Sequence, residues 1–119
     1  MGKRVLQIEF HMDKPSETAK WYGQLFDWEI QEWPQFEYTT ARWHDDVPGA
    51  GFGGAAEGFP NGSICIYIES DDVQADLDRV IAAGGTLVSP PMDLPGVGTM
   101  GFFRDPAGVV TGLLKPVPM

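Results

Sequence analysis

A chain of 119 residues can enclose one substantial hydrophobic core but not two independent ones, so a single domain is expected over residues 1–119. A formal charge of −9 leaves no basic surface for a phosphate backbone, which excludes nucleic acid as a partner, and the longest apolar runs are too short to span a bilayer. The one cysteine, Cys65, has no internal disulfide partner, and no apolar signal-peptide core follows the N-terminus, so the cytoplasm is the expected compartment.

The stretch VLQIEFHM, Val5 to Met12, alternates apolar and polar residues. It places Leu6, Ile8 and Phe10 on one face and Gln7, Glu9 and His11 on the other, the pattern of a half-buried strand. Ala19, Tyr22, Leu25 and Phe26 then recur at helical spacing. They predict a helix over about 15–26, with Asp13 or Ser16 as N-cap and Pro15 in the first turn. WEIQEW and FEYTTARWH predict a hairpin turned at Pro34-Gln35. Gly, Pro, Ala and Asn dominate residues 45–63, which read as a connection holding one short strand near Gly51 to Ala55.

The pattern then restarts. SICIYIES sets Ile64, Ile66 and Ile68 against Cys65, Tyr67 and Glu69, as in the first strand. DDVQADLDRVIAAGG carries Val73, Leu77, Val80 and Ile81 on one helical stripe, with an aspartate cap and a glycine stop. TLVSPP, VGTMGFFRD and GVVTGLLKP complete three strands, the last two joined by the turn Asp105-Pro106-Ala107-Gly108. The class is therefore α+β: strand, helix and three strands, written twice, in modules of about 3–57 and 63–116. At an offset of 58 residues Gln7 falls on Cys65, Glu9 on Tyr67 and His11 on Glu69. Helices covering the apolar strand faces leave the polar faces to curve around a cleft.

EFHMDKPSETAKWYGQLFDWEI, IYIESDDVQADLDRVIAAGGTLVSPP and VGTMGFFRDPAGVVTGLL, in this order and spacing, resemble the vicinal oxygen chelate superfamily. That superfamily includes glyoxalase I, bleomycin-resistance proteins and extradiol dioxygenases. The resemblance implies paired βαβββ modules, a concave cleft and commonly a homodimer. It also implies a divalent metal held by His or Glu at positions that here fall on Gln7, Cys65 and Gly112, with a fourth near Gly54 to Glu57. Glycine supplies no ligand, glutamine is a weak one and a lone thiol does not complete a site, so no metal is expected at these positions.

Glu9, His11 and Glu69 remain as candidate general acids or bases. Gln7, Glu9, His11, Trp43, Phe52, Cys65, Tyr67, Phe102 and Gly112 are the candidates to line the cleft. His44, Asp45 and Asp46 could supply ligands but read as a solvated loop, since neighbours in an extended strand point to opposite faces. Trp21, Tyr22, Phe26 and Trp28 are expected in the helix-side core. Three functions follow: binding of a small neutral-to-cationic organic molecule without the usual metal; a metal-dependent lyase, isomerase or dioxygenase using His11, Glu69 and Glu57; or a non-catalytic protein-interaction module.

Overall fold

The computed structural model describes residues 2–43 and 48–117. The element order is β1 (Val5–Met12), α1 (Pro15–Phe26), β2 (Glu29–Trp33), β3 (Tyr38–Arg42), β4 (Gly49–Gly54), β5 (Ile64–Glu69), α2 (Val73–Ala82), β6 (Thr86–Leu94), β7 (Gly98–Arg104) and β8 (Val110–Pro116). This is the α+β order βαβββ, twice over. Among the described residues no helix is long and apolar enough to cross a membrane.

The chain divides into two compact units, residues 7–65 and residues 1–6 with 66–119. In the N-terminal unit the strand order is β2-β3-β4-β1. β1 runs parallel to β4, while β2-β3 and β3-β4 are antiparallel. The parallel pair needs a long return connection, which α1 and the β2-β3 hairpin provide. The hairpin turns through a 3-10 segment at Pro34–Phe36, with Glu37 in the left-handed region at φ 49°. The C-terminal unit repeats the plan: β5 is parallel to β8, and β8-β7-β6 are antiparallel. β6 is an end strand, so Pro90 and Pro91 are tolerated where its register with β7 shifts.

Each unit has its own core. In the first, Ala19, Ala41, Ala50 and Phe52 are buried, with Phe10, Met12, Tyr22, Trp28 and Ile30 packed around them. The rings of Phe10 and Phe52 stack at 5.3 Å, and those of Tyr22 and Trp28 at 5.2 Å. In the second, Val73, Leu77, Phe103 and Leu113 form the centre, with Ile68 and Val80 beside them. α2 is capped as expected: the Asp72 carboxylate accepts from the Ala75 N–H at 3.1 Å.

Several expectations are corrected. α1 has Lys14, not Asp13 or Ser16, at its N-cap and no side-chain cap; Pro15 starts the helix with a preset φ, and the Ser16 hydroxyl bonds the Glu32 carboxylate instead. Trp21 and Phe26 are more than half exposed, because close packing beneath α1 is reserved for Ala19. Ile64 and Ile66 are exposed while Cys65 and Tyr67 are buried, which reverses the expected polarity of β5. The helices account for this: α2 lies mainly over β6, β7 and β8 and α1 over β2, β3 and β4, so neither covers the whole apolar face of its unit's first strand. The strand expected near Gly51 to Ala55 runs from Gly49 to Gly54.

Leu77 is 1% exposed and Leu25 is 56% exposed. Leu77→Ala is expected to cost roughly 2–5 kcal/mol in urea unfolding, against less than about 1 kcal/mol for Leu25→Ala. Equal losses would contradict the core assignment.

Candidate functional site

The site begins with glycine. β1 and β4 pair so that Glu9 lies opposite Gly51 and His11 opposite Gly53, while Ala50 and Phe52 point to the helix side. Against these glycines lies the ring of Tyr38, from β3. A Cβ on Gly51 would overlap the Tyr38 hydroxyl, and one on Gly53 would stand 3.1 Å from Glu9 Oε1. β4 thus forms a floor without side chains, over which neighbouring strands lay theirs. Gln7 Nε2 donates to Tyr38 Oη at 2.6 Å and fixes that ring.

Beside it are Glu9, 5% exposed, and His11, 7% exposed, so the polar face of β1 is its most buried part. His11 Nδ1 is 3.2 Å from the Gly54 carbonyl oxygen. A carbonyl only accepts, so Nδ1 carries the hydrogen and Nε2 of the neutral ring presents a lone pair. The Phe59 ring stacks on the imidazole at 4.6 Å. Glu9 Oε1 stands 3.7 Å from His11 Nε2, beyond hydrogen-bond length. Glu9 Oε2 and His11 Nε2 are buried and, among the described residues, have no hydrogen-bond partner.

Burial sets the protonation states. Desolvation pushes the Glu9 carboxyl up to about 8. It pushes His11 below its ordinary value, with the Gly54 carbonyl pulling the other way. Tyr38 is raised above the usual phenol range, chiefly by burial and then by the neighbouring Glu9 charge. At neutral pH this wall therefore carries a carboxylic acid beside a neutral imidazole, a donor next to an acceptor rather than an ion pair.

The other candidates are distributed differently. Cys65 is buried and close enough to Tyr38 to perturb it electrostatically. Phe52 is fully buried in the helix-side core against Phe10 and Tyr22, because its parity on β4 is opposite to the glycines; it does not line the polar face. Trp43 also leans to the helix side, 5.0 Å from Trp28. In the C-terminal unit Tyr67 and Phe102 meet edge to face at 5.7 Å, and a Cβ on Gly112 would overlap the Tyr67 ring. Glu69 is occupied with Arg4, whose guanidinium donates to its carboxylate at 2.7 and 3.3 Å and holds it below the usual range. Glu57 is exposed on a turn. His44, Asp45 and Asp46 lie outside the described residues.

Sequence reasoning missed Tyr38. Its signal was the alternation GAGFGG, whose glycines fall on one face of β4 and require a large side chain from a neighbouring strand to fill the space. At the positions where the resemblance places metal ligands, Gln7 donates to Tyr38 and Gly112 lies under the Tyr67 ring; among the described residues no three His, Cys, Asp or Glu side chains gather as a ligand set.

A family model described as glyoxalase-like domain matches residues 7–114. The chain belongs to this family. It stands within the vicinal oxygen chelate superfamily, as the sequence resemblance indicated. CFP32 of Mycobacterium tuberculosis, provisionally named a glyoxylase, is 38% identical over 53 residues, 44% of this chain and 20% of that protein. The match thus spans about one fifth of the length of this curated relative. Among solved structures, methylmalonyl-CoA epimerase from Mycobacterium tuberculosis superposes with a TM-score of 0.73 at 13% identity, over 96% of this chain and 88% of that one. A glyoxalase/bleomycin resistance protein/dioxygenase superfamily member from Vibrio splendidus 12B01 gives 0.64 at 20% identity, over 96% and 99%. At such identities the structural likeness shows the shared glyoxalase-like fold.

The buried acid makes stability depend on pH. Because Glu9 is raised from 4.5 to about 8 on folding, the folded state holds its proton more tightly than the unfolded chain, and this contribution is lost as pH rises through that window. In urea unfolding at pH 5, 7 and 9, Glu9→Gln should gain stability relative to the native chain as pH rises, by on the order of a few kcal/mol at pH 9. A difference independent of pH would show that Glu9 is not buried as an acid.

Proposed function

We propose that this glyoxalase-like domain binds a small organic molecule, neutral to cationic, on the polar face formed by β1, β3 and β4, and does so without the divalent metal of many relatives. The observation that carries the reading is the pair Glu9 Oε2 and His11 Nε2, two buried polar atoms with no partner among the described residues. A buried polar atom left unpaired costs roughly 1–3 kcal/mol, so a site retaining two of them is best explained by a partner supplied from outside. Gln7 and Tyr38 set one wall of the site and Cys65 borders it. The acidic chain disfavours anionic ligands at long range.

Binding requires no proton transfer, although a protonated Glu9 beside a neutral His11 is also a competent acid and base pair. Of the three residues of the metal-dependent alternative, Glu69 is paired with Arg4 and Glu57 is on an exposed turn. Under the same proposal the protein works in the cytoplasm as a homodimer. A chain with a single cysteine, Cys65, suits a reducing compartment, and dimerisation is the habit implied by the superfamily.

The test is elemental analysis of protein purified without a metal-affinity tag, followed by titration with Zn, Ni, Mn and Fe(II) and a thermal-shift screen of small organic molecules. Metal well below one ion per chain, no saturable metal binding, and organic hits weakened about tenfold or more by His11→Ala are expected. Stoichiometric metal would overturn the metal-free reading, and hits indifferent to His11→Ala would move the site elsewhere. Sedimentation at micromolar concentration should give a dimer, and a strict monomer would remove that part of the proposal.

A further inference from the structure

The chain has a single asparagine, Asn61, and a glycine follows it. The turn between β4 and β5 requires that pair: the Ser63 N–H donates to the Pro60 carbonyl at 3.0 Å, and Gly62, third of the four residues, stands at φ 88°. Positive φ at that position favours glycine over any residue with a side chain. A chemical consequence follows from the same requirement. The Asn61 amide carbon and the Gly62 nitrogen are spaced by covalent structure to close a cyclic imide, and glycine puts no side chain in the way of that attack.

The same segment is tied to the end of β1 by three hydrogen bonds. The Gly62 N–H donates to the His11 carbonyl at 2.8 Å, the His11 N–H donates to the Ser63 carbonyl at 3.0 Å, and the Asp13 N–H donates to Asn61 Oδ1 at 3.2 Å. Both reacting groups are therefore engaged: the Gly62 nitrogen holds its proton in a hydrogen bond, and the Asn61 amide is turned towards Asp13. Asn61 and Gly62 are nonetheless exposed, so water reaches the turn. Hydrogen bonds in an exposed turn open at lower free energy than those of a core strand.

We infer that Asn61-Gly62 is a modification site, undergoing spontaneous deamidation that this clamp restrains, and that the isoaspartyl product releases the backbone of His11. In the reaction the Gly62 nitrogen bonds to Asn61 Cγ, the Cγ–Nδ2 bond breaks, and ammonia leaves with the Gly62 proton. Water then opens the imide, and no oxidant or reductant takes part. Cleavage between the Gly62 nitrogen and Cγ leaves aspartate. Cleavage between that nitrogen and the Asn61 main-chain carbonyl leaves isoaspartate, whose backbone runs through the former side chain. The added methylene displaces the Gly62 N–H from the His11 carbonyl. His11 belongs to the site proposed above, but the modification does not depend on that site binding a ligand.

The full chain is aged at neutral pH, folded and in urea above its unfolding transition. Conversion is read from the mass of the peptide holding Asn61 and from methylation by an isoaspartyl methyltransferase. Conversion at least about tenfold faster in urea is expected. Equal rates would overturn the clamp, and no conversion in either state would overturn the site. The chain aged in urea is then refolded, with unaged chain taken through the same cycle, and hydrogen exchange of the His11 amide is followed. Exchange at least about tenfold faster in the isoaspartyl chain is expected, whereas Asn61→Asp, which adds the charge without the methylene, should stay within about threefold of the unaged chain. Unchanged exchange in the isoaspartyl chain, or equal acceleration in Asn61→Asp, would overturn release through the lengthened backbone. A chain that binds no organic molecule but shows these differences would remove the binding reading and leave the modification standing.

Discussion

The N-terminal unit depends on a strand that withholds its side chains. Gly51 and Gly53 place nothing on the polar face of β4, so Tyr38 from the next strand lies flat across it and reaches the Gln7 amide. Any larger residue at 51 would eject the phenol and open the wall that buries Glu9. The same strand turns Ala50 and Phe52 inward against α1, so two successive parities of one short segment carry the core and the site. This coupling explains why a segment with the composition of a linker forms a central strand.

From that floor follows the electrostatic character of the site. Glu9 and His11 are each more than nine-tenths buried, yet they do not make an ion pair. In water they would carry opposite charges near neutrality; removed from water, each reverts towards its uncharged form because no hydration shell remains to hold the charge. The result is a neutral pair with directional hydrogen-bonding capacity, better suited to reading the donor and acceptor pattern of a ligand than its charge. The C-terminal unit has a related but drier solution, with Tyr67 and Phe102 filling the space above Gly112. In both units a tyrosine occupies the volume beside a glycine on the last strand.

Much of this was legible in local pattern. The two helices, the β2-β3 hairpin and the βαβββ order follow from periods of 3.6 and 2, and these are properties of neighbouring residues. The row Gln7, Glu9, His11 also sits on one face of β1, as alternation requires. Alternation cannot say which face is buried, because that depends on what distant segments lay over it. Ile64 and Ile66 were assigned inside and are exposed, Phe52 was assigned to the polar face and lies in the core, and Glu69 was set with His11 but is engaged by Arg4 from before β1.

What the sequence alone determined, therefore, is the order of elements, their parity and the placing of Gln7, Glu9 and His11 on one face of β1. All three depend on residue identity at known spacing. The tertiary structure alone decided that Tyr38 completes the polar wall, that Glu9 and His11 lose their water, and that Phe59 comes to rest on the imidazole. These are contacts between residues far apart in the chain, and burial, which sets protonation and leaves polar atoms unpaired, exists only once those contacts have formed.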